Sequence, residues 1–162
     1  MQNEKNLFFI GHRETDESIY PALRTAVQRH IVEYGVTEFI VGQYGGFDRL
    51  AARCVVELKA IYSQIRLYIL CPYHPTEREP DLPEGVDGTY YPDGMERVPK
   101  RMAIVQANRR MVKQADYLIA CVWHPGSNAR EILLYAQKRE TAGKMHITNI
   151  GNNKNSSFST FP

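Results

Sequence analysis

Three short stretches carry the residue types that can hold an anion: Gly11-His12-Arg13-Glu14, Gly42-Gln43-Tyr44-Gly45-Gly46-Phe47-Asp48 and Trp123-His124-Pro125-Gly126-Ser127-Asn128. Each follows a compact apolar run and precedes an amphipathic one. A helix N-terminus exposes unpaired backbone N–H groups and carries partial positive charge. Glycine lets a phosphate approach that backbone without a Cβ in the way. Gly45-Gly46 and Gly126-Ser127-Asn128 meet this requirement, and Ser127 adds a hydroxyl donor. Arg13 offers a planar fork for phosphate or carboxylate.

The flanking pattern explains why these stretches should meet. Leu7-Phe8-Phe9-Ile10, Phe39-Ile40-Val41, Leu67-Tyr68-Ile69-Leu70-Cys71 and Tyr117-Leu118-Ile119-Ala120-Cys121-Val122-Trp123 are near-continuous apolar runs, with a weaker fifth at His146-Ile147-Thr148-Asn149-Ile150. Such runs indicate strands buried on both faces, as in a parallel sheet. Between them lie helical periods. Ile19, Leu23, Ala26, Val27, His30, Ile31 and Tyr34 share one face, closed by Gly35. Leu50, Ala51, Cys54, Val55, Leu58 and Ile61 form a second stripe. A third helix is expected over residues 100–113 with Met102, Val105 and Val112 inward, and Ala129, Ile132, Leu133 and Ala136 stripe a fourth. The alternation predicts an α/β, doubly wound, mostly parallel five-stranded sheet with helices on both faces and right-handed crossovers. In such a sheet ligands bind beyond the carboxyl ends of the strands, which is where all three stretches fall. The expected domain covers 1–150, with 151–162 a polar, flexible tail. Six prolines between Pro72 and Pro99 interrupt the rhythm. The stretch 73–99 reads either as a lid or binding loop, or as a solvated acidic insertion.

Several residues carry two readings. Gly45-Gly46 is a phosphate cradle, or a tight turn with Asp48 as helix N-cap. Neither glycine motif matches the dinucleotide fingerprint or the Walker A loop. Ser127 suits a cap better than a nucleophile, because no His-Asp pairing at motif spacing supports it. His12 contacts a ligand or ties down its own loop. Trp123 and His124 stack on a base or pack beneath the 73–99 segment. Of Arg109 and Arg110, one is a candidate to face the cleft. Glu131, in the first turn of its helix, complements the helix dipole or serves as a carboxylate for catalysis.

Composition narrows the classes. At 162 residues, 43% hydrophobic and 23% charged, the chain has globular proportions. Its net charge of +2 excludes a strongly basic nucleic-acid arm. No apolar run approaches the roughly 20 residues of a membrane span. The opening Met-Gln-Asn-Glu-Lys-Asn lacks the layout of a signal peptide. Cys54, Cys71 and Cys121 are odd in number and widely spaced, which suits reduced core thiols in a cytoplasmic protein rather than a disulfide framework or a metal centre.

The combination of Gly45-Gly46-Phe47-Asp48, of Asn108-Arg109-Arg110-Met111-Val112, and of Gly126-Ser127-Asn128-Ala129 resembles the SLOG superfamily of LOG- and DprA-like Rossmann domains. The nearest branch is that of the YpsA-like bacterial proteins. The resemblance runs from Gly11 to about Ile150. It implies a Rossmann-like fold and a pocket for a nucleotide or a nucleotide-derived ribose-phosphate compound, with no resident cofactor or metal. On that template Gly126, Ser127, Asn128 and Arg13 hold phosphate. Gly11, His12, Gly42, Tyr44, Gly45, Gly46, Asp48 and Trp123 line the site, and Arg109 closes over the anion. LOG enzymes cleave the N-glycosidic bond of a nucleoside monophosphate, which makes such a hydrolase, with Glu131 or Asp48 as the catalytic carboxylate, the alternative. Their pattern is P-G-G-x-G-T-x-x-E. Here Pro125-Gly126-Ser127-Asn128-Ala129-Arg130-Glu131 lacks the double glycine and sets the Glu one position late. Since a helix turns about 100° per residue, that step re-aims the carboxylate. The resemblance also implies a homodimer. Single-stranded nucleic acid, the ligand of other branches, suits the near-neutral charge least.

Overall fold

The computed structural model describes residues 4–151. Six strands form one parallel sheet: β1 (Lys5–Gly11), β2 (Val36–Val41), β3 (Arg66–Leu70), β4 (Gly88–Tyr90), β5 (Tyr117–Cys121) and β6 (His146–Asn149). Their order across the sheet is β4-β3-β2-β1-β5-β6. The four helices are α1 (Tyr20–Val32), α2 (Gly46–Lys59), α3 (Ala103–Gln114) and α4 (Asn128–Thr141). The chain runs outward from β1 to one edge, then returns to place β5 on the other side of β1. Gly11 pairs with Cys121 at that junction. This is the point where strand order reverses, and where crossovers diverge to leave a crevice.

Alternation along β1 sorts the core into two layers. Leu7 and Phe9 face α1 and α2, with Val27, Phe47, Cys54 and Leu58 among their neighbours. Phe8 and Ile10 face α3 and α4, with Ala107, Met111, Ile132 and Ala136. Both strand faces are buried, which is why the sequence shows apolar runs rather than polar alternation. The three cysteines are buried, and among the described residues none forms a disulfide. Among the described residues no helix is long and apolar enough to cross a membrane.

Three details differ from expectation. The sheet has six strands, not five, because Gly88–Tyr90 pairs in parallel with β3 inside the proline-rich stretch. A three-residue strand between prolines and glycines is too short to leave a periodic signal. Met102 is 42% exposed rather than inward. Residues Lys100–Met102 form a separate 3-10 turn, so α3 starts one residue later in a new phase and buries Ala103, Ala107 and Met111. Ile61 is 59% exposed, since α2 ends at Lys59 and the stripe stops with it. The tail expected over 151–162 falls, apart from Gly151, outside the described residues.

Two glycines of the loops make opposite demands. A methyl group at Gly46 would sit 2.4 Å from the Thr15 carbonyl oxygen and 2.7 Å from that of Arg13. At Gly126 it would meet nothing within 4 Å. Gly46→Ala is therefore expected to destabilise the fold by about 1–3 kcal/mol, and Gly126→Ala by less than about 0.5 kcal/mol. Thermal melts of the two variants check this; equal melting temperatures would contradict the packing described.

Candidate functional site

The β1–α1 and β2–α2 loops are locked together through their backbones. The Gly46 N–H donates to the Arg13 carbonyl at 2.8 Å, and the Phe47 N–H to that of His12 at 3.4 Å. Gly45 holds φ +128°, and a methyl group there would lie 2.8 Å from the Arg13 Cα. Gly45 and Gly46 thus serve close loop packing. Neither lines the cleft, contrary to the cradle reading, because their open side is filled by protein. The glycines that do reach the cleft are Gly11, Gly42 and Gly126.

The cleft encloses about 220 Å³ at the carboxyl end of β1, between it, α3 and the start of α4. Phe8, Ile10 and Leu70 supply apolar lining, and His12, Arg13 and Glu14 come from the β1–α1 loop. Tyr44 and Asp48 come from the second loop, Gly126, Ser127 and Asn128 from the third. Glu14 belongs to a loop the sequence singles out but not to its candidate site residues, and the α3 wall of Ile104, Ala107 and Asn108 is missed. Asn108 stands one turn after Ile104, so helical phase was the signal that could have chosen it over Arg109.

Ser127 caps α4, its hydroxyl oxygen accepting the Arg130 N–H at 3.2 Å. The N–H groups of Asn128 and Ala129 lie in the same first turn, where no helical carbonyl precedes them. Asn128 and Ala129 both line the cleft. A helix start, Ser127 and Arg13 thus line one small space.

Asp48 is not an N-cap; that position belongs to Gly45, with no side-chain hydrogen bond. Its buried carboxylate accepts the Tyr44 N–H at 3.1 Å. A methyl group at Gly42 would sit 2.8 Å from Asp48 Oδ2, so only glycine admits the carboxyl there. Burial pushes the Asp48 carboxyl up to about 7, against the opposing pull of the Tyr44 N–H, Arg13 and Arg49.

His12 is buried, and its Nε2 accepts the Trp123 N–H at 3.1 Å. A backbone N–H can only donate, so the neutral ring carries its proton on Nδ1. The His124 ring stacks on it at 3.8 Å and 11°, and His124 Nε2 lies 2.8 Å from Glu14 Oε1. That contact holds the Glu14 carboxyl below its ordinary value. Ligand atoms of His12, Glu14 and His124 lie within 4.8 Å of one another. A metal ion sits in the plane of each ring that ligates it, and these planes are almost parallel and a ring's thickness apart. No point within bonding reach of both rings lies in both planes, so the group as arranged is a hydrogen-bonded stack and not a preformed metal centre.

Three further candidates stand away from the cleft lining. Arg109 is exposed, its guanidinium carbon 5.4 Å from the Tyr135 ring centre. Trp123 is half-buried, edge-on to His12 at 4.3 Å, and packs against the core under α1 and α2. Glu131 is exposed in the first turn of α4.

No family model and no curated protein sequence matches the chain. Solved structures do. DNA processing protein A from Streptococcus pneumoniae superposes with a TM-score of 0.61 at 12% identity, covering 98% of this chain and 63% of that one. The fold is DprA-like. DNA processing protein A from Helicobacter pylori, a structure described for its single-stranded DNA binding mode, gives 0.49 at 15% identity over 98% of this chain and 82% of that one. A molybdenum cofactor carrier protein from Chlamydomonas reinhardtii gives 0.48 at 15% identity over 94% and 98%. The chain spans under two thirds of the pneumococcal protein. Identity this low fixes the DprA-like fold and leaves the ligand to the site itself.

Asp48 sets a pH dependence. Its folded-state value lies above the ordinary 3.8, so the folded chain holds the proton more tightly. The stability this contributes is fully present below about pH 4 and lost as the pH rises through about 7, by up to about 4 kcal/mol. Asp48→Asn keeps an acceptor for Tyr44 and does not ionise. Melts at pH 5 and pH 8 are expected to show the variant gaining on the unaltered protein at the higher pH; parallel behaviour would contradict the burial assigned to this carboxyl.

Proposed function

We propose that the cleft binds a nucleotide or a nucleotide-derived ribose-phosphate compound, with the phosphate on the first turn of α4 and on Arg13. The observation that carries this is the sharing of one cleft, at the strand-order reversal, by Ser127, Asn128, Ala129 and Arg13. Helix starts with a free approach take phosphate without further devices, and Gly126 leaves that approach open. Asp48, Tyr44 and Asn108 then offer hydrogen bonds to sugar hydroxyls. A neutral Asp48 beside an anion avoids like-charge repulsion, and its value of about 7 keeps part of it neutral in the physiological range. Drug-sized pockets run to roughly 300–1,000 Å³. At about 220 Å³ the cleft takes the phosphate and sugar and leaves part of a larger ligand outside.

One observation favours a second reading. A buried carboxyl poised near neutrality suits general acid catalysis, which keeps an N-glycosidic hydrolase with Asp48 as its acid in play. Glu131, exposed and outside the cleft lining, supplies nothing to it. The DprA-like fold brings single-stranded DNA as a third ligand, against which the net charge of +2 speaks. The SLOG reading, nearest its YpsA-like bacterial branch, belongs to this proposal. So do a cytoplasmic location, suggested by three buried thiols outside any disulfide, and a homodimer.

A thermal-shift series with nucleoside monophosphates, ribose 5-phosphate and single-stranded DNA tests the proposal. A ligand at 100 times its Kd stabilises by about 2.7 kcal/mol, roughly 5–10 °C for a chain of this size. Arg13→Ala and Ser127→Ala are expected to abolish the ligand-induced shift. Ser127→Ala also lowers the unliganded melt by about 1 kcal/mol through the lost cap, so the shift is the readout. Shifts that survive both substitutions would place the ligand elsewhere. Base released from any monophosphate, and lost in Asp48→Asn, would establish the hydrolase instead.

A further inference from the structure

Resting on the ribose-phosphate reading, the geometry points to a nucleobase shelf beside the cleft, formed by Tyr44, Tyr73 and Arg78. The cleft encloses about 220 Å³, below the usual span of ligand pockets, and its open mouth leaves a base attached to the sugar against the surrounding surface. Tyr44 and Pro72 both line the cleft, and Tyr73 follows Pro72 directly. Burial holds the Tyr44 phenol above its ordinary value; Tyr73 adds to this and Arg78 opposes it, which puts the three side chains in one neighbourhood.

The shelf is built rather than incidental. The Tyr73 hydroxyl donates to the Lys100 carbonyl at 3.3 Å, tying it to the approach to α3. The Glu77 and Arg78 N–H groups donate to the His74 carbonyl at 2.8 and 3.0 Å, and Lys100 pairs with Glu77. The His74 ring meets that of Tyr91 edge-on at 5.2 Å. This turn brings the Arg78 guanidinium carbon to 4.0 Å from the Tyr73 ring centre. Arg78 is exposed and, among the described residues, makes no salt bridge. A guanidinium held over a tyrosine ring sets a planar cation beside an aromatic face, and bases stack on both tyrosine rings and arginine planes. The segment that opens the proline-rich stretch thus acts as a base-recognition wall that needs no lid movement.

Titrations of the full chain with adenosine monophosphate and ribose 5-phosphate test the shelf. Adenosine monophosphate is expected to bind about tenfold more tightly, the size of one base–aromatic stack. Arg78→Gln and Tyr73→Ala are expected to reduce it to the level of ribose 5-phosphate, whose own affinity stays unchanged. Tyr73→Phe, which keeps the ring, is expected to retain the preference; with Arg78→Gln it guards against a folding defect in Tyr73→Ala. Equal affinity for the two probes, or a preference that survives Arg78→Gln and Tyr73→Ala, overturns the shelf and leaves the phosphate site standing. Binding of neither probe overturns the phosphate reading and the shelf together.

Discussion

Two backbones touching at the carboxyl edge of the sheet set the terms for everything around the site. The Gly46 N–H reaches the Arg13 carbonyl, and no side chain fits at Gly45 or Gly46 without displacing the neighbouring loop. This contact fixes how far the β1–α1 loop stands from the sheet. Arg13, Glu14 and His12 take their positions from it. So does the start of α2, whose third residue, Asp48, turns back toward Gly42. The glycine pair is therefore a structural device with a functional effect: it builds the wall that a ligand would touch without touching the ligand itself.

Polar burial around the cleft follows one logic. His12 and Asp48 are both withdrawn from water, and each has a backbone N–H on its acceptor atom. A buried group with a fixed partner loses its rotational freedom and holds one orientation. For Asp48 the isolation is strong enough to favour the uncharged form. A site of this kind offers Arg13 as its cation and keeps the neighbouring carboxyl from cancelling it at mildly acidic pH. Glu14 is turned to His124 instead, where its charge is partly answered.

Much of the fold could be read from the chain. The apolar bursts at Leu7-Phe8-Phe9-Ile10 and Tyr117-Leu118-Ile119-Ala120-Cys121 mark the two central strands, because only strands covered on both faces need consecutive apolar residues. The convergence of three loops followed from topology. What escaped depended on phase and on contact. Asn108 rather than Arg109 enters the cleft because the 3-10 turn before α3 resets the helical angle, and no composition rule marks such a turn. Gly45 and Gly46 have the composition of a phosphate cradle, and only the proximity of Arg13 and Thr15 shows that their space is taken. β4 was hidden by brevity and by the prolines around it. Asp48 was visible as a residue of interest, but its burial is a property of the pocket and not of the motif.

The sorting of β1 into two faces has a mechanical consequence. The apolar clusters under α1 and α2 and under α3 and α4 lie on opposite sides of the sheet. The cleft takes its walls from both: Tyr44 and Asp48 from one layer, Ile104, Asn108 and the start of α4 from the other. Any molecule seated there works as a cross-brace between two slabs, stiffening each against the other. Occupancy would then be felt far from the seat, as slower amide exchange in both helical layers at once.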